Sequence, residues 1–493
     1  MENNPLSRIE PNKVWNFFYQ ICRIPRCSKN EFAAAEWIIS FAEDRNLEWK
    51  RDRAGNVVIK CGASPGMETR SPAVLQSHLD MVCEKNERTE HDFLSDPISP
   101  VIQGDWLTAD GTTLGADNGI GVAMTLALLD SEDIPHGPLE ALFTVDEETG
   151  LTGALNLDPS LLSSKHLLNL DTEEYGVFYI GCAGGVTCEG EIPVTIVNTS
   201  EPAGNSGYSA LEMKIIGFRG GHSGLDIHLG LGNALSAAGR ILMNLSRETD
   251  LLLISVDGGN KHNAIPRECT VRFSFLQNDS DKVRKTVLRV AENIKVELGD
   301  KEPNMAVKLT ETGLYREHFD PESTMRIIRL MRAMPHGVYR MSKSIEGLVE
   351  TSTNFAAVET QKTGTKTMVR VLTSQRSSVI SPLDDITSRV QSVIELAGGV
   401  VRLFSRYPAW TPDPGSSLLT KCREVYREYT GEKAKHTAIH AGLECGVIGD
   451  KIPGMEMISM GPDIEGAHTP REKIRISSVE KLWGFICELL KKI

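Results

Sequence analysis

Two adjacent carboxylates, Glu147 and Glu148, follow a strand-like run from Leu139 to Val145 and are closed off by Gly150. Neighbouring side chains on an extended strand point to opposite faces. At the irregular end of a strand, both acids can instead converge on one site, where one holds a metal ion and the other handles a proton. Candidate partners are His78 and Asp80 in Ser-His-Leu-Asp-Met (77–81), Asp117 in Gly-Ala-Asp-Asn-Gly (115–119), Asp171 after Leu167–Leu170, and His468 in a glycine-bearing loop beyond Met455–Met460. Mixed imidazole and carboxylate donors suit zinc, with manganese or cobalt as substitutes. Three carboxylates and two imidazoles suit a pair of divalent ions about 3.5–4 Å apart.

Each of these residues alone has an ordinary explanation. Asp117 reads as a turn or helix-cap residue, the acid pair as a solvated edge, and a single histidine at a strand end as structural. These explanations weaken together, because His78, the acid pair and Asp171 each close a separate apolar strand. In open α/β sheets, sites form at the carboxyl ends of strands.

The elements that would position them follow from hydrophobic spacing. Val14, Phe17, Phe18 and Ile21 have helical spacing, and Ser28 to Glu31 reads as a capping box opening a second helix through Phe32, Ile38, Ile39 and Phe41. Leu47–Arg51 and Val57–Lys60 form an expected hairpin, and Ile120–Leu129 an apolar helix. From about Val186 to Phe404 the rhythm changes to strands alternating with amphipathic helices such as Asp281–Leu298. The proline-dense stretch from Arg406 to Gly415 reads as a linker, after which the α/β pattern returns. Ser477 to Glu480 would cap a last helix carrying Leu482, Ile486 and Leu489. The expected architecture is an α/β catalytic domain with a central, mostly parallel sheet and helices on both faces, interrupted by an inserted α+β lid domain. Its parts are residues 1–186, 187–404 and 405–493.

Length and composition bound the function. At 493 residues the chain calls for more than one domain, and 40% hydrophobic with 24% charged residues is ordinary for a globular protein. A formal charge of −13 argues against nucleic acid or an anionic membrane as partner. No run approaches the ~20 apolar residues that span a bilayer, and the start has no secretory pattern. The ten cysteines form no CxxC pair, which fits reduced thiols in a cytoplasmic protein better than a disulfide framework.

The motifs at 77–81, 114–119, 144–150, 168–171 and 466–470 together resemble the dinuclear zinc metallopeptidases that include carboxypeptidase G and the tripeptidases. Cys-Ala-Gly-Gly (182–185), Gly-Gly-His-Ser-Gly (220–224), Asn-Ala-Ile-Pro-Arg (263–267), Val-Glu-Thr-Ser (349–352) and His-Ala-Gly-Leu-Glu-Cys-Gly (440–446) extend the likeness over essentially the whole chain. The resemblance implies that His78 and Asp171 hold one zinc, Glu148 and His468 the other, and that Asp117 bridges them, two Zn2+ per subunit. It implies that Asp80 orients His78 and that Glu147 is the general base toward a metal-activated water. His222 is the candidate oxyanion donor, and Arg376, Asn263, His440 and Gly442 are candidates for contacting the substrate. The implied substrate is a small peptide, foremost a dipeptide ending in histidine, with tripeptides or acylated amino acids as the alternative. The implied assembly is a homodimer. A binding protein that had kept only the metal shell would have no need of Glu147 beside Glu148.

Overall fold

The computed structural model describes residues 4–198, 207–313 and 315–493. The chain forms two compact units. One comprises Met1–Cys182, Trp410–Ala438 and Leu443–Ile493, and the other Ala183–Ala409 with Ile439–Gly442.

The first unit is built on an eight-stranded sheet. At its centre, Leu139–Thr144, Ala73–His78, His166–Asn169 and Glu456–Ser459 lie side by side and parallel. The first two of these strands are buried along their whole length, as expected of parallel strands covered on both faces. The sheet is mixed rather than mostly parallel. Leu139–Thr144 pairs antiparallel with Val57–Cys61, which pairs antiparallel with Glu48–Arg51, and Val177–Cys182 joins Glu456–Ser459 antiparallel. A hairpin turn reverses the chain at one edge, so antiparallel pairing follows there without a crossover. The helix Ala116–Leu129 is buried on nearly all sides and packs between the His78 strand and the helix Asn12–Cys22. This explains why its sequence is apolar all round. A separate antiparallel sheet orders Ile464–Glu465, Lys473–Arg475, Trp106–Ala109 and Pro100–Gln103.

The second unit is a nine-stranded sheet whose pairings are antiparallel. Four amphipathic helices, Ala234–Leu245, Ser280–Leu298, Pro321–Ala333 and Ile380–Leu396, contribute to its single large core.

Several local expectations change. The helix that follows Ser28 spans Phe32–Asp44, but there is no capping box: the Ser28 hydroxyl donates to Asp80 Oδ2 at 2.8 Å, and Glu31 Oε1 accepts from the backbone of Lys29 and Asp146. Phe32 is exposed instead of facing the core. The last helix, Ile476–Leu490, begins before Ser477, whose hydroxyl donates to Asp105. In both places a long-range carboxylate takes the hydroxyl that a local pattern assigns to a cap. Within the proline-dense stretch, Tyr407 ends a strand, and Trp410 exchanges two backbone hydrogen bonds with Cys182. Cys27 and Cys83 are joined in a disulfide with a Cα separation of 5.7 Å, against the expectation of ten separate thiols. The disulfide lies beside a bridge between Cys27 and Met81 and joins residues 56 apart in sequence, which spacing rules cannot see. The other eight cysteines are free, and six of them are buried.

Candidate metal centre

Parallel register fixes the geometry of the site. His78 stands opposite Thr144, and Gln76 opposite Asn169. Adjacent strands lie about 4.8 Å apart, so the chain leaves the sheet at three neighbouring points carrying His78, the acid pair and Asp171. Beyond Thr144, Asp146 takes a left-handed conformation with φ 50°. That turn ends the strand alternation and lets Glu147 and Glu148 face the same pocket.

Asp117 stands at the centre. Its Oδ1 is 3.1 Å from His78 Nε2, and its Oδ2 is 3.1 Å from His468 Nε2. Asp171 Oδ1 is 3.2 Å from the same His78 nitrogen, and Glu148 Oε1 is 3.0 Å from the same His468 nitrogen. The donor atoms therefore form two groups, His78–Asp117–Asp171 and Asp117–Glu148–His468, sharing one carboxylate. Glu148 Oε1 is buried and makes no well-aligned hydrogen bond. Asp117 Oδ2 and Glu148 Oε1 converge on the same His468 nitrogen. The set fits two divalent cations.

Asp80 organises this pocket from behind. It is fully buried, and its Oδ1 lies 3.3 Å from His78 Nδ1. The same carboxylate accepts the backbone N–H of Glu147 at 3.0 Å and of Glu148 at 3.2 Å. One side chain thus orients an imidazole and fixes the acid pair, the arrangement by which outer groups set the geometry of metal ligands.

The electrostatics suit cations. Burial alone would depress the His78 imidazole, but Asp171, Asp117 and Asp80 hold its pKa well above the ordinary value. The carboxylates of Asp117 and Glu148, both in contact with its Nε2, push His468 up to about 11. Burial pushes the carboxyl of Glu147 well above the usual range, with Asp171, Glu148 and Glu444 adding to the shift against the opposing pull of His78. Burial would raise the carboxyl of Asp80, but its contacts with His78 hold it at about 2. The pocket demands positive charge, supplied by protons on the two rings or by metal ions that displace them.

The remaining candidates lie in the second unit. His222 Nδ1 accepts the backbone N–H of Leu225 at 3.1 Å and of Gly224 at 3.3 Å. This leaves the proton on Nε2. Burial, reinforced by Arg376, lowers the His222 pKa to about 4, so the ring is neutral with one free N–H donor. Asn263 is adjacent, its backbone oxygen accepting from Ser223 N. Arg376 is buried and donates through Nη1 to Tyr407 Oη at 2.9 Å, while its Nε has no hydrogen-bond partner. His440 bonds Ser352 Oγ through Nε2 at 2.7 Å and leaves buried Nδ1 without a partner. Gly442 is half-buried in the same short segment.

Residues 74–492 match the peptidase family M20/M25/M40. The chain belongs to that family. It is 40% identical over 488 residues to the cytosol non-specific dipeptidase of Escherichia coli (strain K12), covering 99% of each chain. Its fold is similar to that of an aminoacylhistidine dipeptidase from Vibrio alginolyticus, with a TM-score of 0.90 at 42% identity and coverage of 99% of this chain and 98% of that one. A tripeptidase from Staphylococcus aureus shares the fold at TM-score 0.56 and 17% identity, covering 98% of each chain. Membership of a peptidase family makes the chain a peptide-bond hydrolase. Among the described residues, no helix is long and apolar enough to cross a membrane.

Sequence reasoning missed a polar layer beneath the centre of this peptidase. Glu444 is fully buried, and its Oε2 accepts from Gln76 Nε2 and Thr144 Oγ1, each at 2.6 Å. Gln76 Oε1 in turn accepts from Asn169 at 2.5 Å, and Asn169 accepts from Ser459. A polar residue inside each of four parallel strands was the available signal. Burial raises the Glu444 pKa to about 8, opposed by His78. Below that pH the folded protein holds a proton that the unfolded chain has released, so stability falls as pH rises from about 4.5 to 8. Metal-free E444Q should lose that dependence. Its unfolding free energy should exceed that of the parent by several kcal/mol above pH 8, at ~1.4 kcal/mol per pKa unit, and match it near pH 5. Parallel stability curves in denaturant titrations at both pH values would show that Glu444 is not protonated in the fold.

Proposed function

We propose that the protein is a cytoplasmic, zinc-dependent dipeptidase that hydrolyses Xaa-His and other dipeptides. The observation that carries this reading is the division of Asp117 between two ligand groups, with a further buried acid, Glu147, in the same pocket. His78, Asp171 and Asp117 would hold one ion, and Asp117, Glu148 and His468 the other. Two such ions supply Lewis acidity toward the scissile carbonyl and lower the pKa of a nearby water. Glu147 takes the proton of the attacking water and returns it to the leaving amine. Asp80 keeps His78 in register and holds the Glu147 backbone through this transfer.

On the second unit, the free Nε2–H of His222 is a donor suited to an oxyanion. Arg376 suits the carboxylate of the substrate, with Asn263, His440 and Gly442 as further contacts. The insert that the sequence bounds at 187–404 is read as a lid and dimerisation domain, and the protein as a homodimer. The names of the relatives support the dipeptide assignment, and the aminoacylhistidine dipeptidase supports the preference for a terminal histidine.

The test is a panel of dipeptides, tripeptides and N-acyl amino acids offered to metal-stripped protein with Zn2+, Co2+ or Mn2+ added back. Dipeptides should turn over with the highest kcat/KM, Xaa-His among the best. Faster cleavage of tripeptides or acylated amino acids would replace this assignment with the related activity.

A further inference from the structure

Glu472 lies four residues after His468, in the hairpin between Ile464–Glu465 and Lys473–Arg475. It is 2% exposed, and among the described residues no cationic side chain is bonded to it. Its carboxylate is instead spent on four consecutive backbone N–H groups. Oε2 accepts from Leu114 at 2.8 Å and Gly115 at 2.9 Å, and Oε1 from Ala116 at 2.8 Å and Asp117 at 3.2 Å. A turn with successive N–H groups facing inward is an anion-binding concavity. Here the chain fills that concavity with its own carboxylate. Gly115, at φ 69°, makes the concavity possible, and a Cβ there would stand 2.5 Å from Arg26 Nη2.

Arg26 closes the opposite side. It is buried and donates to the carbonyls of Leu79 and Asp80 at 2.9 Å each, and to that of Gly115 at 2.5 Å. The segment bearing Asp117 is therefore held at its amides by Glu472 and at a carbonyl by Arg26. The two clamps differ in what they join. Arg26 ties the Asp117 turn to the segment that follows His78. Glu472 ties the same turn to the hairpin that bears His468.

We propose that Glu472 is a positioning residue that sets the spacing of Asp117 and His468, and through it the affinity of the ion held by Asp117, Glu148 and His468. This rests on reading those residues as metal ligands. Substitution by glutamine keeps the size but turns an amide –NH2 toward two backbone N–H donors, so half of the clamp becomes repulsive. The His78–Asp117–Asp171 group keeps Arg26 and Asp80 and is perturbed less.

The experiment is a stepwise titration of metal-free protein with Zn2+ against a chromophoric chelator, for the parent and E472Q, with thermal unfolding recorded on the same samples. The parent should bind two ions. In E472Q one of the two affinities should fall by about 10–100-fold, the range for losing an outer-shell partner, while the other changes by less than about threefold. D171N, which touches the other group, should weaken the opposite step. If E472Q lacks a cooperative transition, E472D, which keeps the charge on a shorter arm, is titrated instead and judged by the same ratio. Unchanged affinities, or an equal fall in both, would overturn the positioning role. A parent that binds no Zn2+ in stoichiometric amounts would instead overturn the ligand reading itself.

Discussion

Glu147→Gln is expected to bind the same two metal ions as the parent protein and to lose kcat by about 10²–10⁴-fold, the usual worth of a positioned general base. The Glu147 N–H donates to Asp80 Oδ1, and the Glu148 N–H donates to Asp80 Oδ2. Neither bond involves the side chain to be changed, so the variant keeps Glu148 where it is. Glutamine matches the volume of glutamate in a buried position and cannot accept a proton in this pH range. His78, Glu147 and Glu148 also place donor atoms within 4.8 Å of one another, so Glu147 is itself close enough to be a ligand. Metal content and turnover measured on one sample separate the two roles. Full metal with lost turnover assigns the base. Loss of an ion would make Glu147 a ligand, and activity within tenfold of the parent would place the base elsewhere.

The parts of the fold legible in the sequence are those with a local cause. Residues 73–75 and 141–143 are short apolar runs followed by polar residues, and both lie in fully buried strands. The helix through Val14, Phe17, Phe18 and Ile21 buries those four residues on one face. The candidate ligands stood out because each follows such a run or sits among glycines. That is a one-dimensional signal for a position at the rim of a sheet. What was not legible depends on partners far away in the chain. Ser28 and Asp80 are 52 residues apart, and Thr144 and Glu444 are 300 apart. A serine three positions before a glutamate looks like a cap whether or not a buried carboxylate waits across the sheet. Glu472 gave no signal at all, because its four partners are backbone amides and amides carry no residue identity. The hairpin of Glu48–Arg51 with Val57–Cys61 was legible, but the antiparallel pairing of Val57–Cys61 with Leu139–Thr144 and of Val177–Cys182 with Glu456–Ser459 was not, because strand direction depends on the route of the chain, not on the composition of the strand.

Asp117→Asn should be the most damaging single change in the proposed metal set. Asp171 and His78 belong to one group and Glu148 and His468 to the other, but Asp117 supplies one oxygen to each. Asparagine retains a single oxygen and presents an –NH2 to whichever imidazole faces the replaced atom. That group cannot donate a lone pair to a cation, and it introduces a dipole of the wrong sign into a pocket whose carboxylates raise the pKa of both rings. The loss also removes a negative charge that the two ions would otherwise share. One ion at most should remain tightly bound, and hydrolysis of a dipeptide should fall by more than the ~100-fold typical of an outer-shell change. D171N should differ in kind, weakening one ion while leaving its neighbour in place. Zn2+ stoichiometry by equilibrium dialysis decides between them. If D117N still binds two ions with parental affinity, Asp117 does not bridge, and the two groups are independent sites that happen to meet at one side chain.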